Sequence, residues 1–181
     1  MDAKTSEIAK AMASDSKETV LAALAELSEL VKGGTMPEEL LDPLDALMTS
    51  QEQEVRKESL LLIGKFALKK VGHMESVTIL NDMLRDPDPE IRENAAWALG
   101  ELAGFDVGEL CTPYYLNYPL TDEVAEVRAM AAWAEGRYAE KMGVGRNDTL
   151  RLLKGLLEDE SGQVRKGAEW SLQRLREIGL E

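Results

Sequence analysis

The dipeptide (Val/Ile)-Arg recurs at a nearly constant interval along the chain, and this repeat constrains the fold more than any other feature. The arginines are Arg56, Arg92, Arg128 and Arg165, so the successive intervals are 36, 36 and 37 residues. An aspartate or serine stands six residues before each arginine, and in three of the four repeats a glycine stands eight residues after it. A period of about 20–50 residues is typical of proteins that stack one supersecondary unit many times. We therefore expect a repeat protein.

Each repeat is predicted to contain two helices, of which the second carries the arginine. Apolar residues recur at helical spacing in both halves of a repeat, and no segment shows the strict alternation of a strand. Asp88 and Pro89 are typical of a helix start, as the N-cap and the first helical residue. With a degenerate first pair near the N-terminus, the pattern predicts an all-α chain of about five helical hairpins. The approximate units are 1–33, 34–70, 71–104, 105–143 and 144–181, which we number one to five.

Unit four departs from this pattern in its first half. Pro113 and Pro119 interrupt the expected helix, and three tyrosines cluster between and beside them, namely Tyr114, Tyr115 and Tyr118. The segment is interpreted as a short helix followed by a packed loop. An aromatic ledge that contributes to binding is the alternative.

The repeat has a recognisable consensus, Leu-x-Asp-x-x-x-x-(Val/Ile)-Arg-x-x-Ala-Ala-Trp-Ala-x-Gly, as in residues 84–100. It resembles HEAT-like repeats of the kind found in phycobilisome lyases. The resemblance implies one domain over 1–181, a right-handed α-solenoid, with the second helices lining the concave side. It also implies a structural ladder between the aspartates and arginines of neighbouring units, although unit two has Ser50 in place of the aspartate. The predicted ladder residues are Asp86, Arg92, Asp122, Arg128, Asp159 and Arg165.

All three tryptophans of the chain occupy the same repeat position, five residues after the arginine. In the second helix of unit three, Ile91, Ala95 and Leu99 fall on one side, and Trp97 lies about 145° from the centre of that apolar face. Equivalent positions of stacked units form a row. The predicted row, which we call the Trp stripe, consists of Leu61, Trp97, Trp133 and Trp170. An exposed row of this kind indicates a contact site, whereas indoles lying flat between adjacent helices would be packing residues, and the sequence leaves both open.

Charge narrows the class of partner. The net charge of −13 disfavours binding to nucleic acid and to acidic membrane surfaces, because both are anionic. Acidic residues concentrate beside the stripe in units two and three and basic residues in units four and five. A protein partner with an apolar anchor and a basic segment is predicted for the acidic half. The residues predicted to contact it, besides the stripe, are Glu90, Glu93, Arg137 and Arg174.

The sequence shows no catalytic constellation, so we predict a non-catalytic interaction scaffold or regulatory adaptor without cofactor or metal. One cysteine and one histidine cannot form a Cys/His zinc site. The lone His73 is followed by Met74, which excludes the His-Glu metal pairs of deoxyhypusine hydroxylase. Two alternatives stay open by resemblance: a subunit of a bilin-lyase-like enzyme, and a HEAT-type nucleic-acid-binding protein.

The chain is expected to be cytoplasmic, because it has a single cysteine, no long apolar run and a polar N-terminal segment. Self-association through the Trp stripe is left open.

Overall fold

The computed structural model describes residues 2–181, and within them it contains helices and turns but no strand. Each predicted unit contains one pair of helical segments. Unit one contains α1 (Ala3–Met12) and α2 (Lys17–Lys32). Unit two contains α3 (Leu41–Met48), preceded by a 3₁₀ turn at Glu38–Leu40, and α4 (Gln53–Leu68).

The remaining three units follow the same order. Unit three contains α5 (Met74–Met83) and α6 (Pro89–Ala103). Unit four contains α7 (Thr112–Leu116), a 3₁₀ turn at Pro119–Thr121, and α8 (Ala125–Met142). Unit five contains α9 (Asn147–Gly155), a 3₁₀ turn at Leu156–Glu158, and α10 (Gly162–Glu177).

The helix starts follow the predicted chemistry. At the start of α6, the Asp88 carboxylate accepts a hydrogen bond from the Glu90 amide at 2.8 Å, and Pro89 occupies the first turn. Pro89 is tolerated there because that position has no intrahelical donor to lose. In α7, Pro113 also lies in the first turn, and the helix ends after five residues.

The helices form two layers. The second helices α4, α6, α8 and α10 pack on one another in series, and the first helix of each unit packs against the second. Between the layers lies an apolar core built from the faces predicted by periodicity; in α6 it buries Ile91, Ala95, Leu99 and Leu102. The fold is an α-solenoid. None of its helices within residues 2–181 is long and apolar enough to cross a membrane.

Candidate functional site

Partly buried ion pairs join successive units at one end of the second helices. Arg92 Nε and Nη2 donate to the Asp122 carboxylate at 2.6 and 2.9 Å, and Arg128 makes the same pair of bonds to Asp159 at 2.8 and 2.9 Å. Arg56 Nε donates to Asp86 at 3.0 Å. Each arginine therefore binds the aspartate of the following unit, and we call this set the Arg–Asp ladder.

The direction of the ladder explains the departure at Ser50. Each ladder aspartate binds the arginine of the unit before it. In unit one the position that aligns with those arginines is Val20, so an aspartate at position 50 would have no arginine to bind. Ser50 keeps only the local task of the position, since its Oγ accepts from the Glu52 amide at 3.2 Å. At the other end, Arg165 donates to the carbonyl oxygens of Asp159 and Glu160 within its own unit.

The charge of the ladder shifts the titration of its acids. Hydrogen bonding from Arg128 is the main cause that lowers the pKa of Asp159 below its ordinary value. Burial alone would raise the pKa of Asp122, but hydrogen bonds from Arg92 and from the Val124 amide reverse the direction and lower it. Both carboxylates are therefore held ionised, and each pairs with the arginine of the preceding unit.

The tryptophans are packed against glycines of the preceding unit. A Cβ atom added to Gly64 would lie 2.1 Å from Trp97 Cζ3, and one added to Gly100 would lie 2.3 Å from Trp133 Cζ3. Gly136 stands in the same relation to Trp170, at 2.2 Å. The benzene edge of each indole thus lies in a notch that only glycine leaves open. Unit five has Gln173 at the glycine position.

The same indoles also line an open groove of about 430 Å³ between α6, α8 and the start of α10. We call it the Trp groove. Its apolar lining consists of Trp97, Ala129, Met130 and Trp133. Its polar lining consists of Glu93, Glu101, Glu126 and Gln163. Trp97 and Trp133 are half-buried, so each contributes one edge to the joint between units and another part of its surface to the groove.

The groove is acidic. In the part of the chain that the structure describes, Glu93, Glu101 and Glu126 have no salt bridge and their carboxylates accept no hydrogen bond. Burial is the main cause that raises the pKa of Glu93, and repulsion from Glu126 and Glu90 raises it further. Such a surface attracts a cation and repels phosphate.

The other predicted contact residues lie in several surroundings. Glu90 forms an ion pair with Lys57 of unit two. Arg137 lies over the Trp133 ring at 5.7 Å from its centroid, and Arg174 lies over the Trp170 ring at 5.8 Å. Arg137 also pairs with Glu140 of its own helix, and Arg174 pairs with the same Glu140 of the preceding unit. Leu61 is half-buried and lies outside the lining of the Trp groove.

The tyrosine segment combines a short helix with exposed rings. Tyr114 and Tyr118 are 54% and 52% exposed, and Tyr115 is half-buried. Arg146 lies over the Tyr114 ring at 5.4 Å and Arg85 over the Tyr118 ring at 5.1 Å. These arginines come from units five and three, so the two exposed rings join unit four to both neighbours.

Sequence reasoning missed a buried acid in α8. Glu135 is 0% exposed, and neither of its carboxylate oxygens has a hydrogen-bond partner among residues 2–181. Burial raises its pKa well above the ordinary value. The aligned positions in units two, three and five are Ile63, Leu99 and Leu172. That alignment is a signal that could have revealed it.

Candidate metal ligands are not gathered anywhere in the described residues, where no group of three or more His, Cys, Asp or Glu side chains has metal-binding geometry. His73 instead contacts Asp45 at 2.7 Å, and the Asp45 carboxylate also accepts from Ser76 Oγ at 2.7 Å. These contacts tie α3 to the start of α5.

Comparison with known proteins agrees with this architecture. A family model described as HEAT repeats matches residues 40–109, which include α3 to α6. Residues 40–109 therefore contain HEAT-like repeats. No curated protein sequence matches it.

Several solved structures that are similar to this chain are engineered proteins. A designed armadillo repeat protein in complex with peptide (KR)4 has a TM-score of 0.74 and 24% identity, over 96% of this chain and 87% of the other. Computationally designed armadillo repeat proteins for modular peptide recognition match with a TM-score of 0.72 and 21% identity, over 93% and 81%. An engineered protein of the Northeast Structural Genomics Consortium matches with 0.70 and 22%, over 97% and 80%. At these identities the likeness shows the fold.

Proposed function

We propose that this HEAT-like repeat protein is a non-catalytic interaction scaffold or regulatory adaptor that binds a segment of a partner protein on the face formed by its second helices. The observation that carries the proposal is the Trp groove. It combines two partly accessible indoles with three unpaired carboxylates on a rigid pair of helices. Large aromatic anchors next to unpaired charge are typical of protein-recognition surfaces.

The packing of the tryptophans supports this role. Because Trp97 and Trp133 are held in the notches at Gly64 and Gly100, their rotamers are fixed before a partner arrives. A pre-organised aromatic surface loses little conformational entropy on binding. Each of these two tryptophans therefore contributes both to the contact between units and to the binding surface.

The partner that this surface suits has an apolar anchor and a basic segment. The anchor would contact Met130 and the indoles, and the basic residues would approach Glu93 and Glu126. Designed armadillo proteins of similar fold, one of which is in complex with peptide (KR)4, are precedents for peptide capture on a solenoid. A second copy of the chain is the alternative occupant.

Selection from a displayed random-peptide library tests the proposal. Wild-type protein should enrich basic peptides that carry an apolar residue. A Glu93→Lys/Glu126→Lys variant should lose about tenfold or more in affinity for them, because attraction becomes repulsion. Glu7→Lys/Glu38→Lys is the matched control, since it makes the same charge change at exposed positions outside the groove.

Circular dichroism must show that both variants keep the wild-type helix content. If the enriched peptides bind the groove variant as tightly as the control, the Trp groove is not the binding face. If no peptide is enriched over an unrelated protein, the scaffold proposal itself is wrong. Dimerisation that the groove variant abolishes would instead identify the occupant as a second copy.

A further inference from the structure

The repeat places a cation over two of the three tryptophans but not over the third. The relevant position lies nine residues after the ladder arginine and one helical turn after the tryptophan. It holds Arg137 in unit four and Arg174 in unit five, and each guanidinium covers the indole of its own helix. In unit three the same position holds Glu101, which lines the groove beside Trp97.

This substitution reverses the charge next to an indole that is otherwise packed in the same way. Trp97 contacts Gly64 as Trp133 contacts Gly100, so its ring has the same setting on the helix. The face that an arginine covers in units four and five is bordered in unit three by an acid. An indole face attracts cations because its π-system is electron-rich.

Among the described residues, the acids that line the Trp groove form no ion pair, and the Arg137 guanidinium that lies over Trp133 pairs with Glu140 instead. Glu101 is joined there by Glu93 and Glu126, and no lysine or arginine is part of the groove lining. Burial is the main cause of the raised pKa of Glu93, and repulsion from Glu126 and Glu90 raises it further. A cation placed beside Glu93 and Trp97 would relieve that repulsion.

We propose that the Trp groove binds an arginine side chain of the partner, stacked on Trp97 and paired with Glu101 and Glu93. This inference rests on the proposed function and names the chemistry of its partner. A guanidinium suits the site better than an ammonium, because it is planar, weakly hydrated and donates to two carboxylates at once. Met130 and Ala129 provide an apolar wall for its aliphatic stem.

The test uses (KR)4, the peptide bound by the designed armadillo protein, as a probe. Its comparison peptide has citrulline, a neutral isostere of arginine, at every arginine position. Binding is followed by the indole N–H resonances of protein labelled at tryptophan, which separate the three rings. We expect the Trp97 resonance to shift most, and the citrulline peptide to bind about tenfold more weakly or worse.

A Glu101→Arg variant supplies the missing cation within the chain. It copies unit four, so it should fold, cover Trp97 and weaken (KR)4 binding by about tenfold or more. Glu38→Arg is the matched control at an exposed site, and it should bind like wild type. If Glu101→Arg does not fold, Trp97→Leu, which copies Leu61, replaces it and should weaken binding comparably.

The outcomes separate this inference from the proposed function. If citrulline and arginine peptides bind equally at the groove, the arginine site is wrong although the scaffold stands. The same conclusion follows if Glu101→Arg binds like wild type. If library peptides bind elsewhere and no Trp resonance shifts, both are wrong. A dimer dissociated by Glu101→Arg would assign the arginine to a second copy and overturn the partner-peptide proposal.

Discussion

Units three and four have nearly the same second helix, yet they differ in the features that matter for binding and stability. Their shared residues are the tryptophans, the glycines three residues later and the ladder positions, which make the same contacts in both. Several positions of the second helix differ; among them, Leu99 aligns with Glu135, and Glu101 aligns with Arg137. Shared positions build the joints between units, whereas the differing positions set the charge of the core and of the groove.

The first helices differ even more. α5 has ten residues, while α7 has five and is followed by a 3₁₀ turn. Pro119 accounts for the early end of α7, because a proline has no N–H to continue the helical hydrogen bonds, whereas Pro113 lies in the first turn, where a proline is tolerated. The solenoid continues across this irregular unit because the joints depend on the second helices, where the repeat is conserved from unit to unit.

The largest expected loss of stability comes from breaking the Arg–Asp ladder, and the loss should be similar in units three and four. Asp122→Ala leaves the buried Arg92 guanidinium without its carboxylate, and breaking such a pair costs about 3–5 kcal/mol. Asp86→Ala should have a similar effect through Arg56. Ser50→Ala, which removes only one hydrogen bond from the Glu52 amide, should cost about 1 kcal/mol. Urea unfolding at pH 7 measures all three.

The Arg–Asp ladder also predicts how the stability of the fold changes at low pH. The pKa values of Asp122 and Asp159 are lowered in the folded chain, so their contribution is present above the unfolded pKa of about 3.9 and is lost as the pH falls below it. Asp122→Ala should therefore flatten the fall in stability below about pH 4. Equal slopes in wild type and variant would contradict the assignment.

The next effect concerns the notch that receives each tryptophan. Gly100→Ala and Gly136→Ala place a methyl group closer to Trp133 and Trp170 than van der Waals contact allows. Overpacking of this kind costs about 1–3 kcal/mol. Gly155→Ala is the control, because its added Cβ meets no atom within 4 Å. In a helix it should be neutral or stabilising by up to about 1 kcal/mol. Thermal unfolding of the three variants compares them directly, and equal melting temperatures would refute the notch.

Much of this fold could be predicted from the sequence, because the period fixes which residues are equivalent. The five helical hairpins, the Asp88 cap and the interrupted unit four follow from spacing and from proline chemistry. The pairing of each glycine with the next unit's tryptophan could not be predicted, since it depends on how closely two helices approach. A signal was present: the glycine is replaced by Gln173 in unit five. Periodicity also left open whether Trp97 was packed or accessible. In the structure one edge of its indole packs against Gly64 and another part of the ring lines the Trp groove.

The difference between Leu99 and Glu135 gives a prediction of pH dependence. The pKa of Glu135 is raised in the folded chain, so above the ordinary pKa of about 4.3 the unfolded chain ionises while the native chain stays protonated. Stability should then fall with rising pH by up to about 1.4 kcal/mol per pH unit until the native carboxyl also ionises. Glu135→Gln cannot ionise and should gain on wild type across this window. Urea unfolding from pH 5 to 8 measures the difference in unfolding free energy between Glu135→Gln and wild type. A difference that stays constant over this range would contradict the prediction.

The smallest effect is expected on the exposed face of unit four, where the short α7 leaves Tyr118 accessible beneath Arg85 of unit three. Arg85→Ala removes a cation–π contact at a surface where water competes, so it should cost only about 0.5–1 kcal/mol. Arg85→Lys keeps the charge but loses the planar stacking, so its stability should lie between that of wild type and that of Arg85→Ala. Unfolding curves measured at low and at high salt separate this contact from an ordinary surface charge effect. A cost above that of Gly100→Ala would mean that the tyrosine segment, rather than the second-helix joints, couples unit four to unit three.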